Sequence, residues 1–151
     1  MTHAFYDDSK SFAHRGFICL CGYLSDDSGW NTFEREWRSL LACHDIKRLH
    51  TSDFLSAGGE YRERLKNVDY ETRVTVVQEF IKVIQSTILF GVAVAVDSIA
   101  FRDVFRSEKK KPAPEEFCFH RVMQATLRGC EKFKDRLNLP IATVFDDSEE
   151  H

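Results

Sequence analysis

Three apolar runs of this 151-residue chain end in aspartate. Asp7 follows the run that starts at His3, Asp97 follows Ile88 to Val96, and Asp146 follows Ile141 to Phe145. Two of these acids are doubled, as Asp7-Asp8 and Asp146-Asp147. In open α/β sheets, ligands bind beyond the carboxyl ends of the strands. Carboxylates gathered there repel unless a cation neutralises them, and hard ions such as Mg²⁺ or Mn²⁺ take oxygen ligands of this kind. Two such ions about 4 Å apart are a common apparatus for phosphodiester hydrolysis. One aspartate after a strand says little, because Asp favours turns; three such strand ends, the last with its doubled acid, suggest Asp7, Asp97, Asp146 and Asp147 as metal ligands.

A second cluster is His50-Thr-Ser-Asp53-Phe54. His and Asp three apart meet on one side of a turn or a first helical turn, and the pair could supply a ligand and a proton shuttle. Spacing alone favours the plainer account, a helix-capping Ser52 or Asp53 beside an ordinary His50. Other features carry less. His120 lies beside an apolar helical stripe and reads as structural. Lys109-Lys110-Lys111 next to proline reads as a solvated loop. Trp30 and Trp37 read as core, and Cys43-His44 gives no sign of a nucleophile and base. No phosphate-binding glycine loop, nucleophile elbow or HExxH occurs.

The elements that must position these residues follow from periodicity. His3–Asp7 and Gly16–Leu24 read as strands joined by a connection short enough for an antiparallel pair. Gly16–Leu24 is apolar on both faces and so central. Trp30, Phe33, Trp37, Leu40 and Leu41 form one stripe of a helix that ends near His44. Residues 46–54 read as a connection with an extended piece ending at His50, and 57–59 as loop. Asp69 caps a helix, Tyr70–Ser86, with a core stripe of Tyr70, Val74, Val77, Ile81 and Ile84. Ile88–Val96 suits a buried parallel strand. Ser98–Phe105 reads as a short helix and Ser107–Pro114 as loop. A long helix then starts at Glu115, with Phe119, Val122, Met123, Thr126, Cys130, Phe133 and Leu137 on one face. Ile141–Phe145 is the last strand. The order β-β-α-α-β-α-α-β predicts one α/β domain over 1–151.

Composition agrees. The chain is 43% hydrophobic and 30% charged with 13 Phe, 7 Gly and 3 Pro, which excludes disordered and collagenous classes. Its longest apolar run falls well short of the roughly 20 residues a spanning helix needs. The amino terminus has no basic head and no long apolar stretch, so the expectation is a cytoplasmic protein without a signal peptide and without membrane contact. Five cysteines in no metal-binding spacing read as small reduced hydrophobes. The net charge of -3 looks poor for a nucleic-acid partner, yet two bound divalent ions would bring it to about +1.

The motifs together resemble a bacterial and phage family, the domain of unknown function 3800. Phe5-Tyr6-Asp7-Asp8-Ser9 resembles its opening hydrophobic-Asp-Glu-Ser-Gly strand, and Gly16 to Leu24 its Phe-hydrophobic-Gly-Gly strand. The helix from Gly29-Trp30 with Phe33 and Trp37 is similar to its next helix. Leu49-His50-Thr-Ser-Asp53-Phe54 resembles its hydrophobic-His-x-x-Asp-aromatic element, and Val144-Phe145-Asp146-Asp147 its later strand ending in Asp. The family is grouped with ribonuclease H-like folds. The resemblance therefore implies an α/β, ribonuclease H-like mixed sheet, with an antiparallel N-terminal hairpin and later parallel strands, flanked by helices. It implies a Mg²⁺- or Mn²⁺-dependent nuclease with nucleic acid as partner. Asp7 and Asp146 take the acidic ligand roles, and His50 and Asp53 are further catalytic candidates; Asp97 comes from the strand-end pattern alone. Two departures stand out. Asp8-Ser9-Lys10 replaces Glu-Ser-Gly, and the chain stops at His151 where longer relatives continue into further helix. The alternative is a catalytically degenerate binding or assembly module that keeps the fold. On either reading, apolar surface left by a missing segment could drive a homo-oligomer.

Overall fold

A computed structural model describes residues 1–8, 16–108, 112–137 and 140–145. The elements in chain order are β1 (Thr2–Asp8), β2 (Phe17–Asp26), α1 (Asp27–Cys43), α2 (Thr51–Ser56), a 3-10 turn (Gly59–Tyr61), α3 (Arg62–Leu65), α4 (Tyr70–Thr87), β3 (Phe90–Asp97), α5 (Ser98–Val104), α6 (Pro114–Lys132) and β4 (Ile141–Phe145). They divide into two compact units, residues 1–27 with 89–151, and residues 28–88.

The first unit is an α/β layer. Among the described residues its sheet has four strands, in the order β3-β2-β1-β4. β1 and β2 pair antiparallel, with Asp7 opposite Cys21, and β2 pairs antiparallel with β3, with Cys21 opposite Ala93. Among the described strands, β1 and β4 alone are parallel neighbours, with Tyr6 level with Phe145. β2 is central, as its double apolar face predicts. The expectation for β3 is corrected: it is an edge strand in an antiparallel pair. Its apolar run conceals an alternation. Val92, Val94 and Val96 pack toward the core, while Gly91, Ala93 and Ala95 are exposed, and small residues counted as apolar mimic a strand buried on both faces.

α6 covers β2 and β3. Cys118, Val122 and Thr126 on its buried stripe meet Ala4, Tyr6, Leu20 and Leu24 of the sheet. The hydroxyls of Tyr6 and Thr126 bond each other at 2.7 Å inside this layer, so the one polar tip of the Tyr6 ring is satisfied. Gly22 makes room for that ring: a Cβ there would run into Tyr6 and come within 2.6 Å of the Phe5 carbonyl oxygen.

The second unit is helical. Ile46, Phe54, Tyr61, Leu65, Val77 and Phe80 form its core, with Trp37, Leu40 and Leu41 of α1 packed against them. Phe33, Trp37 and Phe80 make a chain of ring contacts at 5.1 and 4.7 Å. Asp69 caps α4 by accepting from the Thr72 amide at 2.8 Å. The α4 stripe is rotated from its expected position: Val77, Phe80 and Val83 are buried, whereas Tyr70 and Ile81 are exposed. His50 has the extended backbone expected there, and α2 begins directly after it at Thr51.

Candidate functional site

Asp7 stands at the end of β1, and alternation along the strand fixes where it points. Tyr6 and Ala4 turn toward α6, so Asp7 turns to the opposite face, with its carboxylate exposed. Its neighbour across β2 is Cys21, whose thiol pKa is raised, first by burial and then by Cys19 and Asp7. On the other side, the described part of β4 ends at Phe145, level with Tyr6, and the Phe145 and Tyr6 rings stack at 4.9 Å. Asp146 and Asp147, which follow in sequence, lie outside the described residues, as do Ser9, Lys10 and Lys109 to Lys111.

Asp97 ends β3 at the same end of the sheet, because β1 and β3 both run antiparallel to β2, and on the same face, because it alternates with the inward Val92, Val94 and Val96. The register nonetheless separates the two acids. Asp7 is level with Cys21, and Asp97 with Phe17. Four residues along the strand and two strand spacings across amount to about 16 Å, far beyond what one ion or an ion pair spans. The Asp97 carboxylate has a task of its own: one oxygen accepts from the Ile99 and Ala100 amides at 2.8 and 3.1 Å, capping α5. Among the described residues, no three His, Cys, Asp or Glu are grouped to hold a metal ion.

In the helical unit His50 and Asp53 do meet, with Nδ1 2.9 Å from the carboxylate. The carboxylate fixes which imidazole nitrogen faces it and leaves Nε2 as the outward one. Several neighbours hold this turn. The Tyr61 hydroxyl donates to the Arg48 carbonyl and accepts the His50 amide at 3.2 Å. The Phe54 and Tyr61 rings meet edge to face at 5.3 Å beneath it, and Arg48 pairs with Glu60 at 3.0 Å. Gly59, at φ +52°, belongs to the same device, since a Cβ there would lie 2.7 Å from the Asp53 carboxylate.

A pair that spacing does not reveal is His44 and Glu79, 2.7 Å apart and half-buried beside Phe80. The two are far apart in sequence, so only the packing of α4 on the end of α1 brings them together. Near them a cavity of about 440 Å³ is lined by Leu41, Asp45, Ile46, Lys47, Tyr61 and Arg64. Its Arg64 guanidinium is engaged by the His44 and Asp45 carbonyls, just past the end of α1. His120 is exposed, 3.8 Å from Glu116. All five cysteines are free; Cys118 is buried, while Cys21 and Cys43 are exposed.

The chain matches no protein-family model, no curated protein and no solved structure. No described helix is long and apolar enough to cross a membrane.

Proposed function

We propose that the chain is a metal-dependent phosphodiesterase acting on nucleic acid, built on a ribonuclease H-like sheet. The observation that supports this best is the parallel pairing of β1 and β4. Two neighbouring strands run to the same end of the sheet, one finishing on Asp7-Asp8 and the other continuing in sequence into Asp146-Asp147. Asp7, an exposed oxygen donor on the face away from α6, suits a hard cation, and Asp146 and Asp147 are proposed to hold Mg²⁺ or Mn²⁺ with it. Such an ion would make a bound water more acidic and neutralise charge at the phosphate. Asp97 leaves the proposed ligand set, because its register and its capping bonds place it elsewhere.

The experiment is cleavage of RNA, DNA and hybrid duplexes with Mn²⁺, with Mg²⁺ and with chelator. The expected outcome is metal-dependent cleavage that falls at least about a hundredfold in Asp7→Asn and persists in Asp97→Asn. Cleavage undiminished in Asp7→Asn would remove the reading. A second reading, a degenerate binding or assembly module, draws on the structural employment of Asp97: one of three strand-end acids already serves as a helix cap. It predicts no cleavage with any of the three substrates.

A further inference from the structure

β3 is an edge strand whose own sequence carries none of the usual guards. Its sequence, Phe-Gly-Val-Ala-Val-Ala-Val before Asp97, holds no Lys, no Pro and no charge, whereas native edges are commonly blunted by such residues or kept short. The other edge, β4, is five residues long and follows Pro140.

The outward groups of β3 can be assigned. The Ser98 amide bonds the Gly16 carbonyl at 2.6 Å, one step beyond the Asp97–Phe17 pair. Hydrogen-bonded and open positions alternate along an antiparallel ladder. Val96, Val94, Val92 and Phe90 therefore bond to β2, and the amides and carbonyls of Gly91, Ala93 and Ala95 point away from the sheet. Those three residues are exposed, and among the described residues no further backbone bond engages them.

A basic stripe runs beside this edge. Arg121, Arg128 and Lys132 of α6 recur at spacings of seven and four, so they share one flank. Contacts place that flank on the β3 side. Arg121 lies over the Phe117 ring, which packs on Phe101 of α5, directly after β3. Lys132 lies over Phe133, which stacks on Phe90 at the start of β3. The opposite flank of α6 faces β1 and β4, through Thr126 to Tyr6 and Phe119 to Phe145. Arg121 and Lys132 thus mark the two ends of β3, and both, like Arg128, are exposed.

The geometry points to β3 as a docking edge for an extended acidic peptide of a partner protein, which adds as a fifth strand. Its backbone would pair with Gly91, Ala93 and Ala95, and its acidic side chains on the α6 side would face Arg121, Arg128 and Lys132. This mode is β-augmentation, with main-chain bonds giving affinity and alternate side chains giving specificity. A second copy fits less well. Pairing β3 with itself would set two α6 helices about 9.6 Å apart, or two strand spacings, with their basic flanks turned toward each other. A nucleic-acid strand would meet the basic stripe but offers no alternating amides and carbonyls to the edge.

The test measures anisotropy of a labelled peptide alternating valine and glutamate, added to the whole chain. The expected result is binding that weakens as salt rises and falls about tenfold in the Arg121→Glu, Arg128→Glu double variant, about the worth of two exposed ion pairs. Methylation of the peptide nitrogens that face β3 should abolish binding, and this control leaves the protein unaltered. No binding would overturn the inference. So would equal binding of the N-methylated peptide, equal binding of the lysine counterpart, displacement of the peptide by oligothymidylate, or self-association through β3 that the double variant leaves unchanged.

Discussion

Tyr6 sends its hydroxyl into the sheet-helix layer to meet Thr126 at 2.7 Å, while Asp7, next along β1, leaves its carboxylate in solvent. The two-residue period of the strand separates the roles. Burial raises the Tyr6 pKa, partly offset by the bond to Thr126, so this hydroxyl stays protonated and structural. Tyr6→Phe strands the Thr126 hydroxyl, and a loss of about 1–2 kcal/mol is expected in urea denaturation; an unchanged midpoint would show that Thr126 finds another partner. Gly59→Ala should break the His50–Asp53 pair, since the new Cβ would meet the Asp53 carboxylate. The imidazole nitrogen shifts of His50 report this by NMR, and shifts equal to those of the unaltered chain would contradict it. At this scale the sequence was informative where chemistry is local. His50 and Asp53 are three residues apart and do meet; His44 and Glu79 meet only through the packing of two helices.

Helix ends carry the predictions that belong to elements. Asp69 has its pKa lowered, first by the Thr72 amide, and Asp27 by the amino terminus and then His3. Each carboxylate is held more firmly when ionised in the folded chain. Each therefore contributes stability above its unfolded pKa, close to 4, and loses it as pH falls through the lower folded value. Acid titration followed by circular dichroism should show stability declining below about pH 4, with a smaller decline in Asp69→Asn. Ala57 ends α2 at φ +51°, a conformation that costs a β-carbon about 1 kcal/mol, so Ala57→Gly should raise the melting temperature. β4 and the Asp69 cap lie where periodicity and capping rules place them. The α4 stripe does not, because apolar residues cover so much of that helix that two stripes, both containing Val77, fit the pattern. β3 departs from its expected place for a related reason: alanine and glycine are apolar in sequence but leave one face of the strand open.

At the scale of the molecule, the sheet order decides which distant acids share a neighbourhood. All three acid-tipped strands run the same way, as the strand-end pattern requires, yet β2 lies between β1 and β3. Strand ends are readable from hydropathy; register across an intervening antiparallel strand is not, and it moves Asp97 away from Asp7. What remains is the β1–β4 pair, and the central claim is that Asp7 is a metal ligand there. The most direct measurement is the melting temperature with and without Mn²⁺. A ligand bound only by the folded state at a hundred times its Kd adds about 2.7 kcal/mol. The prediction is a clear rise in the unaltered chain and in Asp97→Asn, lost in Asp7→Asn. A rise of the same size in Asp7→Asn, or no rise in the unaltered chain, would contradict it.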